Sequence, residues 1–541
     1  MTDLEIPYEK DRKGHYRFFE ILPGALSWLM LLLPVLLSLI NVTVAAVFVI
    51  GYLLIYIVRG AGVAVRAIQG YRSLRINQKL DWAQMLVELQ NGEVKDASVK
   101  RPKWHYNNLL RLSVQQQRII MPDDVVHVMM IALYKESREV LVPTIEAVLA
   151  SEYNMRQTIL VIAYEERAGQ PTETLANELI AEYKEHFMDA MAIKHPKNIP
   201  GELIGKGGNV TFAARKLVPY LEERKIDPIR VIVTTLDADN HPDKKYMAAL
   251  TYTYCSCADP VRASFQPIAM YTNNIWDAPA PMRVVATGNS YYNLVLSLRT
   301  HLLRNFSAHA QGMQSLIETD FWSVRTIVED GHQFWRSYFR FDGDYRVYPI
   351  YVPIYQDAVL TDNYVRTLKA QFVQLRRWTW GASDIAYVVN QAFYKKNNVP
   401  RWDLIGKLLR LIEGHVTWAV APLLCLCAGF IPAFFNPQSY AANELPLIAS
   451  RVQTVALVGG AASLFIALKT LPPRPARYKR HRSLFMLLQW VYLPVTTIVY
   501  NSFAALYSQT RLIFGKYLDK FDVTEKAVAS TDKSGTVVLK K

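Results

Sequence analysis

The sequence predicts a membrane protein in which a parallel α/β domain is inserted between transmembrane helices. Uncharged apolar stretches lie near both ends of the chain, at residues 21–58 and again beyond residue 415. Between them, strand-length apolar runs alternate with helical segments. The chain has 541 residues, of which 51% are hydrophobic and 20% charged. This length allows several domains, and the composition fits neither a purely soluble nor a purely embedded protein.

The formal net charge of +14 raises the possibility of a nucleic-acid partner. The basic residues, however, crowd beside apolar runs, as in the loop Arg474–Arg482. That distribution is the positive-inside pattern of a membrane protein. We therefore expect a lipid bilayer as a partner and no nucleic acid.

The first apolar stretch predicts two short membrane helices. Residues 21–58 carry no charge and are too many for one span, so a turn is expected near Asn41. Arg59 follows the stretch and predicts that the chain leaves the membrane on the cytoplasmic side. Residues 1–20 are then a cytoplasmic tail, and the polar residues 59–121 are a connector.

The next segment reads as a parallel α/β unit, because a strand at 125–132, a helix at 139–150 and a strand at 158–164 follow each other. Nucleotides bind at the carboxyl ends of such strands. The polar residues at these ends are the candidates for nucleotide binding: Tyr134, Glu136, Glu165 and Glu166.

A further apolar strand at 230–236 ends in Asp237-Ala238-Asp239. Two carboxylates at a strand end suit a hard divalent cation that takes its other ligands from phosphate oxygens and water. Asp237 and Asp239 are therefore predicted to hold Mg²⁺ or Mn²⁺. Lys206 lies in the glycine-rich segment Gly205–Asn209 ahead of a helical run, which is a weak signal when taken alone.

An acidic pair, Glu329-Asp330, opens a predicted helix, and Gln374-Leu375-Arg376-Arg377-Trp378 follows after a short β-rich run at 344–353. A carboxylate can take the proton of an attacking sugar hydroxyl. A Trp ring suits the flat C–H face of a sugar, and Arg can fork onto a diphosphate. Taken singly, the acidic pair could instead complement a helix dipole, and Arg-Arg-Trp could anchor a helix at the membrane edge.

In this order, D-x-D, E-D and Q-x-x-R-W resemble the motifs of processive family-2 glycosyltransferases, the cellulose, chitin and hyaluronan synthases. The resemblance implies a metal-dependent, inverting hexosyltransferase with a GT-A-type, Rossmann-like domain at 122–400. It would move a sugar from a nucleotide-diphosphate sugar, with a UDP-sugar favoured, to a growing polysaccharide or glycan. The implied roles are catalysis for Asp330 and Glu329, acceptor binding for Gln374 and Trp378, and donor binding for Tyr134, Glu136, Glu165, Lys206, Arg376 and Arg377.

The sequence departs from the family pattern in two places. Lys135 stands where the family has Asn, and glutamates at 165 and 166 stand where it has Asp. A rival acidic motif, Glu318-Thr319-Asp320, also precedes the β-rich run. Asp330 is preferred as the base because an aromatic helix, Gly343 and the β-run follow it in the family's order.

Beyond the domain, residues 401–414 predict a helix lying in the membrane surface, because their apolar side chains fall on one face and their charges on another. Residues 415–435 and 452–470 predict two spans. Residues 483–510 are uncharged and are expected to cross, to re-enter or to lie at the interface. Residues 511–541 are then a cytoplasmic tail.

The tail carries Phe521-Asp522-Val523-Thr524-Glu525-Lys526, which resembles the F-x-V-T-x-K gating loop of bacterial cellulose synthase. That resemblance implies that Phe521, Val523, Thr524 and Lys526 close over the bound nucleotide at the cytoplasmic face of the plasma membrane. Two alternatives stay open. One is a non-processive transferase with a lipid-linked acceptor. The other is an inactive scaffold among the subunits of an exopolysaccharide-assembly complex.

The position of the tail gives a first test. The variant Asp522→Cys should react with a membrane-impermeant thiol reagent only from the cytoplasmic side, and more slowly when a UDP-sugar is present. Site-specific labelling of right-side-out and inverted vesicles measures both. Labelling from the outer side would contradict the gating-loop assignment and the re-entrant alternative for residues 483–510.

Overall fold

The computed structural model describes residues 4–94, 98, 100–114, 120–518, 528–531 and 537–540, with the side chains of residues 455–463, 528–531 and 537–540 left out. The chain forms two compact units. The first unit consists of Met1–Ile6, Arg72–Met270 and Leu296–Asp357. The second consists of Pro7–Tyr71, Tyr271–Val295 and Ala358–Lys541.

The α-helices are α1 His15–Ile40, α2 Val42–Asn77, α3 Trp82–Asn91, α4 Lys103–Val114, α5 Arg138–Leu149, α6 Gln170–Tyr183, α7 Lys206–Glu223, α8 Tyr246–Ser256, α9 Ala280–Ser297, α10 Met313–Glu318, α11 Glu329–Arg340, α12 Tyr364–Thr379, α13 Asp384–Val389, α14 Arg401–Cys427, α15 Ile431–Phe435, α16 Tyr440–Thr470, α17 His481–Leu488, α18 Leu493–Thr496 and α19 Ala504–Ile513. The strands are β1 Val126–Leu133, β2 Thr158–Glu165, β3 Asp189–His195, β4 Val231–Asp237, β5 His241–Pro242, β6 Ala263–Tyr271, β7 Ala310–Gly312, β8 Arg346–Gln356, β9 Val528–Thr531 and β10 Val537–Lys540.

The first unit contains an eight-stranded mixed sheet in the order β3-β2-β1-β4-β7-β6-β8-β5. Strands β3, β2, β1 and β4 are parallel, which confirms the predicted parallel α/β unit. Strand β7 runs antiparallel to β4 and β6, and β5 runs antiparallel to β8. The β-rich run predicted at 344–353 is strand β8.

The parallel strands form because both of their faces are covered. Strands β1 and β2 are almost entirely buried, as their continuous apolar sequences require. Helix α7 packs its apolar side chains onto β1, β2 and β4. Burying a Val or Leu side chain fully contributes roughly 1.5–3 kcal/mol. The α7 residues in this core are Val210, Ala213, Ala214, Leu217 and Leu221.

Sequence reasoning missed three strands of the sheet, β3, β5 and β7, of which β5 has only two residues. Strand β3 lies at the sheet edge and carries Asp189, Lys194 and His195, so it lacks the apolar run of a buried strand. Strand β7 has three residues and pairs through its backbone with β4 and β6. A strand this short leaves no periodic pattern in the sequence.

The chain order of the strands reverses at β1. The chain passes from β1 to β2 to β3 on one side, and α7 then returns it to β4 on the other side of β1. Open α/β sheets bind their ligands at such a switch point, beyond the carboxyl ends of the strands. The register pairs Ala132 of β1 with Asp237 of β4, so the D-x-D segment begins at this point.

The second unit holds the apolar helices. Within the described part of the chain, four helical runs are long and apolar enough to cross a membrane: His15–Ile40, Val42–Asn77, Arg401–Phe435 and His481–Ile513. Helices α1 and α2 are separated at Asn41, where the sequence predicts a turn. The topology and the boundaries of the predicted domains stay predictions.

Two further segments show details that the sequence does not predict. Helix α14 runs without a break through the predicted interfacial segment 401–414 and into the predicted span. Residues 483–510 belong to a run that contains a π-helix at Thr497–Phe503, just after Pro494. The predicted span 452–470 lies within α16. The gating-loop residues 521–526 lie outside the described residues.

Candidate functional site

The candidate site begins at the switch point of the sheet. Asp237 is the last residue of β4, and Asp239 is a buried carboxylate two residues later. Tyr134 and Glu136 follow directly after β1, the neighbouring strand. Four of the residues predicted from sequence thus follow two adjacent parallel strands, where they share one edge of the sheet.

Lys206 is the first residue of α7 and joins this edge to the acidic pair. Its Nζ donates to Oδ1 of Asp237 at 2.6 Å and to the carbonyl oxygen of Ser307 at 3.2 Å. Burial acts to lower the pKa of Lys206, but the charges of Asp237, Glu329 and Asp330 and the hydrogen bond to Asp237 outweigh it. The pKa is raised as a result, so the ammonium stays charged at neutral pH.

Glycine at position 207 permits this assembly. A Cβ added there would lie 2.5 Å from the carbonyl oxygen of Ser323 and 3.1 Å from Cβ of Glu329. The separation of 2.5 Å from the Ser323 carbonyl oxygen is shorter than real Cβ atoms essentially ever show. The glycine therefore lets the start of α7 pack directly against the segment that carries the acidic pair.

The two carboxylates of the acidic pair have different surroundings. Glu329 is buried beside Gly207, whereas Asp330 is half-buried in the first turn of α11. Oδ1 of Asp330 accepts a hydrogen bond from the backbone N–H of Gly331 at 2.7 Å. A carboxylate in the first turn also complements the helix dipole. Asp330 is therefore the better placed of the two to reach a substrate.

The rival carboxylate has a different environment. The side chain of Asp320 is 74% exposed and forms an ion pair with Arg215 at 2.9 Å. Its backbone has a positive φ of 53°, in a turn just after α10. Asp320 therefore lies on the surface, whereas Asp330 interacts electrostatically with Lys206.

The D-x-D carboxylates have the donor chemistry that Mg²⁺ and Mn²⁺ require. The Asn240 amide, oriented to satisfy both of its polar atoms, donates to Oδ1 of Asp239 at 3.2 Å and accepts from the backbone N–H of Asp237 at 3.1 Å. In the described residues, no group of three His, Cys, Asp or Glu side chains converges as a metal site. The residues fit a cation that would share Asp237 with Lys206 and draw its other ligands from a phosphate and water.

Two of the predicted nucleotide-binding glutamates bond within their own segments. Oε2 of Glu136 accepts from the backbone N–H groups of Tyr134 at 2.9 Å and of Lys135 at 3.2 Å. Oε1 of Glu165 accepts from Arg167 at 2.8 Å. Sequence reasoning missed Arg167, whose guanidinium also lies 4.5 Å from the ring centre of Tyr134. It places a cation beside the ends of β1 and β2.

His309 is a second residue that sequence reasoning missed. Its Nδ1 donates to the carbonyl oxygen of Phe306 at 2.7 Å, and its Nε2 accepts from the indole N–H of Trp322 at 3.0 Å. Burial, partly opposed by the Phe306 bond and reinforced by the charge of Lys206, lowers the pKa of His309 to about 4. The imidazole is therefore neutral at working pH. Nothing in the sequence around His309 indicates that this histidine is buried and interacts electrostatically with Lys206.

The Q-x-x-R-W residues belong to the second unit and lie on α12. Oε1 of Gln374 accepts from the side chain of Gln371 at 3.0 Å, and the Trp378 ring lies 6.2 Å from the ring of Tyr271. The carbonyl oxygen of Arg376 accepts from Ser508 at 2.7 Å. The polar members of the motif, Gln374, Arg376, Arg377 and Trp378, are half-buried, and Leu375 among them is buried.

No protein-family model matches this chain, and no curated protein matches it. One solved structure that it resembles is a mannosyltransferase from Pyrobaculum calidifontis in complex with GDP-Man and Mn²⁺. The two chains are 14% identical with a TM-score of 0.43, and the match covers 84% of this chain and 100% of that one. S. aureus TarS 1-349 has 9% identity and a TM-score of 0.35, covering 77% of this chain and 96% of that one. GalNAc-T7 with UDP, GalNAc and Mn²⁺ has 13% identity and a TM-score of 0.30, and the match covers 56% of this chain and 58% of that one. Because these similarities are so low, an activity has to be argued from the residues of the site itself.

The close packing at Gly207 gives the second test. Gly207→Ala should destabilise the first unit by about 1–3 kcal/mol, because the new methyl group forces the Ser323 carbonyl or Glu329 to shift. Thermal unfolding of the purified protein in detergent measures this loss. Gly331→Ala is the matched control, since a Cβ there meets nothing within 4 Å. Equal unfolding temperatures for the two variants would contradict the packing argument.

Proposed function

We propose that this chain is a membrane-embedded glycosyltransferase that transfers a sugar, with inversion, from a nucleotide-diphosphate sugar to a growing glycan. The observation that carries the proposal is the position of Lys206. This one ammonium bonds to the D-x-D segment and interacts electrostatically with the acidic pair. A metal-type carboxylate site and a base-type carboxylate therefore meet around one cation at the switch point of an α/β sheet, as a reaction at a sugar diphosphate requires.

In the proposed reaction, Asp330 accepts the proton of the acceptor hydroxyl as that oxygen bonds to the anomeric carbon. The bond between the anomeric carbon and the diphosphate oxygen breaks, and its electron pair leaves with the nucleotide diphosphate. Lys206 stays charged throughout and counters the negative charge that Asp237, Glu329 and Asp330 bring together. The neutral His309 beside it adds no further charge at working pH.

Asp237 and Asp239 are the residues that would hold Mg²⁺ or Mn²⁺. A bound divalent cation would supply positive charge to the departing diphosphate. Asn240 supports the arrangement, because its amide bonds to the carboxylate of Asp239 and to the backbone N–H of Asp237. Tyr134, Glu136, Glu165 and the cation Arg167 would line the nucleotide side.

The finer parts of the proposal rest on the motif resemblance. They comprise a GT-A-type domain of family 2, an acceptor platform at Gln374 and Trp378, a diphosphate contact at Arg376 and Arg377, and a gating tail at Phe521–Lys526. The domain would face the cytoplasm and the spans would cross the plasma membrane. A UDP-sugar is the favoured donor. The acceptor would be a polysaccharide, or a lipid-linked glycan in a non-processive version of the same reaction.

The local hydrogen bonds of Glu136 and Glu165 favour one competing function, an inactive scaffold of an exopolysaccharide-assembly complex. Carboxylates already bonded within their own loops would contribute little to a nucleotide. Purified protein in lipid, incubated with a panel of UDP- and GDP-sugars, separates the two functions. Release of free nucleotide supports the transferase, and its absence across the panel supports the scaffold.

The metal assignment gives the third test. Asp239→Asn should reduce transfer to background, because it removes one anionic ligand from the D-x-D pair. The fold should persist in detergent. Nucleotide release measured with and without Mg²⁺ or Mn²⁺ checks this. Full activity of the unaltered protein in excess EDTA would contradict the assignment.

The base assignment gives the fourth test. Asp330→Asn should lower kcat by about 100-fold or more, because the proton acceptor is lost, while the donor still binds. Steady-state transfer and equilibrium binding of the nucleotide sugar measure the two effects separately. Asp320→Asn is the matched control and should stay close to the unaltered protein. The reverse pattern would identify Asp320 as the base.

A further inference from the structure

The first residues of the described chain, Leu4–Ile6, pack against the helix that begins with the acidic pair. Leu4 and Ile6 are buried, although they precede the first predicted membrane helix and carry no recognised motif. Glu5 lies between them, and its carboxylate points into the first unit. We call these three residues the N-terminal strap.

The strap binds a buried arginine of α11. Arg336 is 2% exposed, and its Nη1 donates to the carbonyl oxygen of Leu4 and to Oε1 of Glu5, both at 3.0 Å. Its Nη2 donates to the carbonyl oxygens of Thr319 at 2.9 Å and of Asp320 at 3.2 Å. Glu5 thus supplies the carboxylate for a guanidinium held mostly by backbone carbonyls, and a buried charge needs such a partner.

The strap also binds the loop that leads into α11. Oε1 of Glu5 accepts a short hydrogen bond from the hydroxyl of Ser323. Nη1 of Arg325 donates to the carbonyl oxygen of Ile6 at 3.1 Å. The carbonyl of Ser323 is the atom that a Cβ at Gly207 would strike, so this loop packs directly against the residue beside Lys206.

Glu5 therefore bonds to the chain on both sides of the acidic pair. Ser323 comes six residues before Glu329, and Arg336 comes six residues after Asp330. One carboxylate fixes both the loop that enters α11 and the rotation of α11 about its axis. A shift of this loop or a rotation of α11 would move Asp330, which lies in the first turn of that helix.

We infer that Glu5 is a positioning residue for the proposed base: the N-terminal strap holds α11 so that Asp330 faces the reacting sugar. Glu5 touches no reacting atom and acts through Ser323 and Arg336. Displacing a catalytic group by about 1 Å can lower a rate about 100-fold. The strap is thus part of the active-site support, although it is far from the motifs in sequence. The inference rests on the proposed transferase function.

The test compares Glu5→Gln, Glu5→Asp and the control Glu9→Gln, an exposed carboxylate four residues along the same segment. Glu5→Gln should lower kcat by about 10- to 100-fold with the donor KM near that of the unaltered protein, since the D-x-D edge is not disturbed. Glu5→Asp keeps the charge and should recover part of kcat. Glu9→Gln should behave as the unaltered protein.

Hydrogen exchange followed by mass spectrometry provides a readout independent of activity. Glu5→Gln should speed exchange in residues 319–340 and leave α5 and α6 unchanged. Unaltered kcat and exchange would overturn the inference, and so would faster exchange spread over the whole first unit, which marks general destabilisation. If the unaltered protein releases no nucleotide from any sugar tested, the transferase proposal fails. The exchange pattern alone then decides whether Glu5 positions α11.

Discussion

The candidate site depends on one ion pair, between the buried Lys206 at the start of α7 and the half-buried Asp237 at the end of β4. Three carboxylates lie close enough to this lysine to affect its pKa. Without a cation among them, these partly buried carboxylates would repel one another, because burial strengthens every interaction between charges. The lysine therefore allows Asp237 of the D-x-D segment and the acidic pair of α11 to lie near each other.

The fold provides the place for this pair. Parallel strands end at the same edge, and the chain order reverses at β1, between β1 and β4. Helix α7 returns the chain across β1 and β2, and its first residue bonds to Asp237 at the end of β4. Glycine at 207 then lets the loop before α11 approach without a clash. Each of these features is local, yet the site requires all of them.

The supports of the site come from distant parts of the sequence. The acidic pair stands on α11, and α11 is held through Arg336 by residues at the beginning of the chain. The carbonyl oxygen of Ser307, in the segment before β7, accepts a hydrogen bond from Lys206. These supports consist of single hydrogen bonds and ion pairs between residues that are tens to hundreds of positions apart. Because they need no repeated pattern, they leave no periodic trace in the sequence.

The sequence by itself determined the parallel strands β1, β2 and β4, the break at Asn41 and the strand-end position of Asp237. It could do so because buried strands and apolar helices require continuous or periodic apolar residues. It could not show β3, β5 and β7, whose pairing depends on neighbours rather than on their own composition. It ranked Asp330 above Asp320 by the order of motifs, whereas the tertiary structure separates them by environment, one beside Lys206 and the other on the surface with Arg215. Only the tertiary structure decided which residues surround the lysine, because burial and charge proximity arise when distant segments pack together.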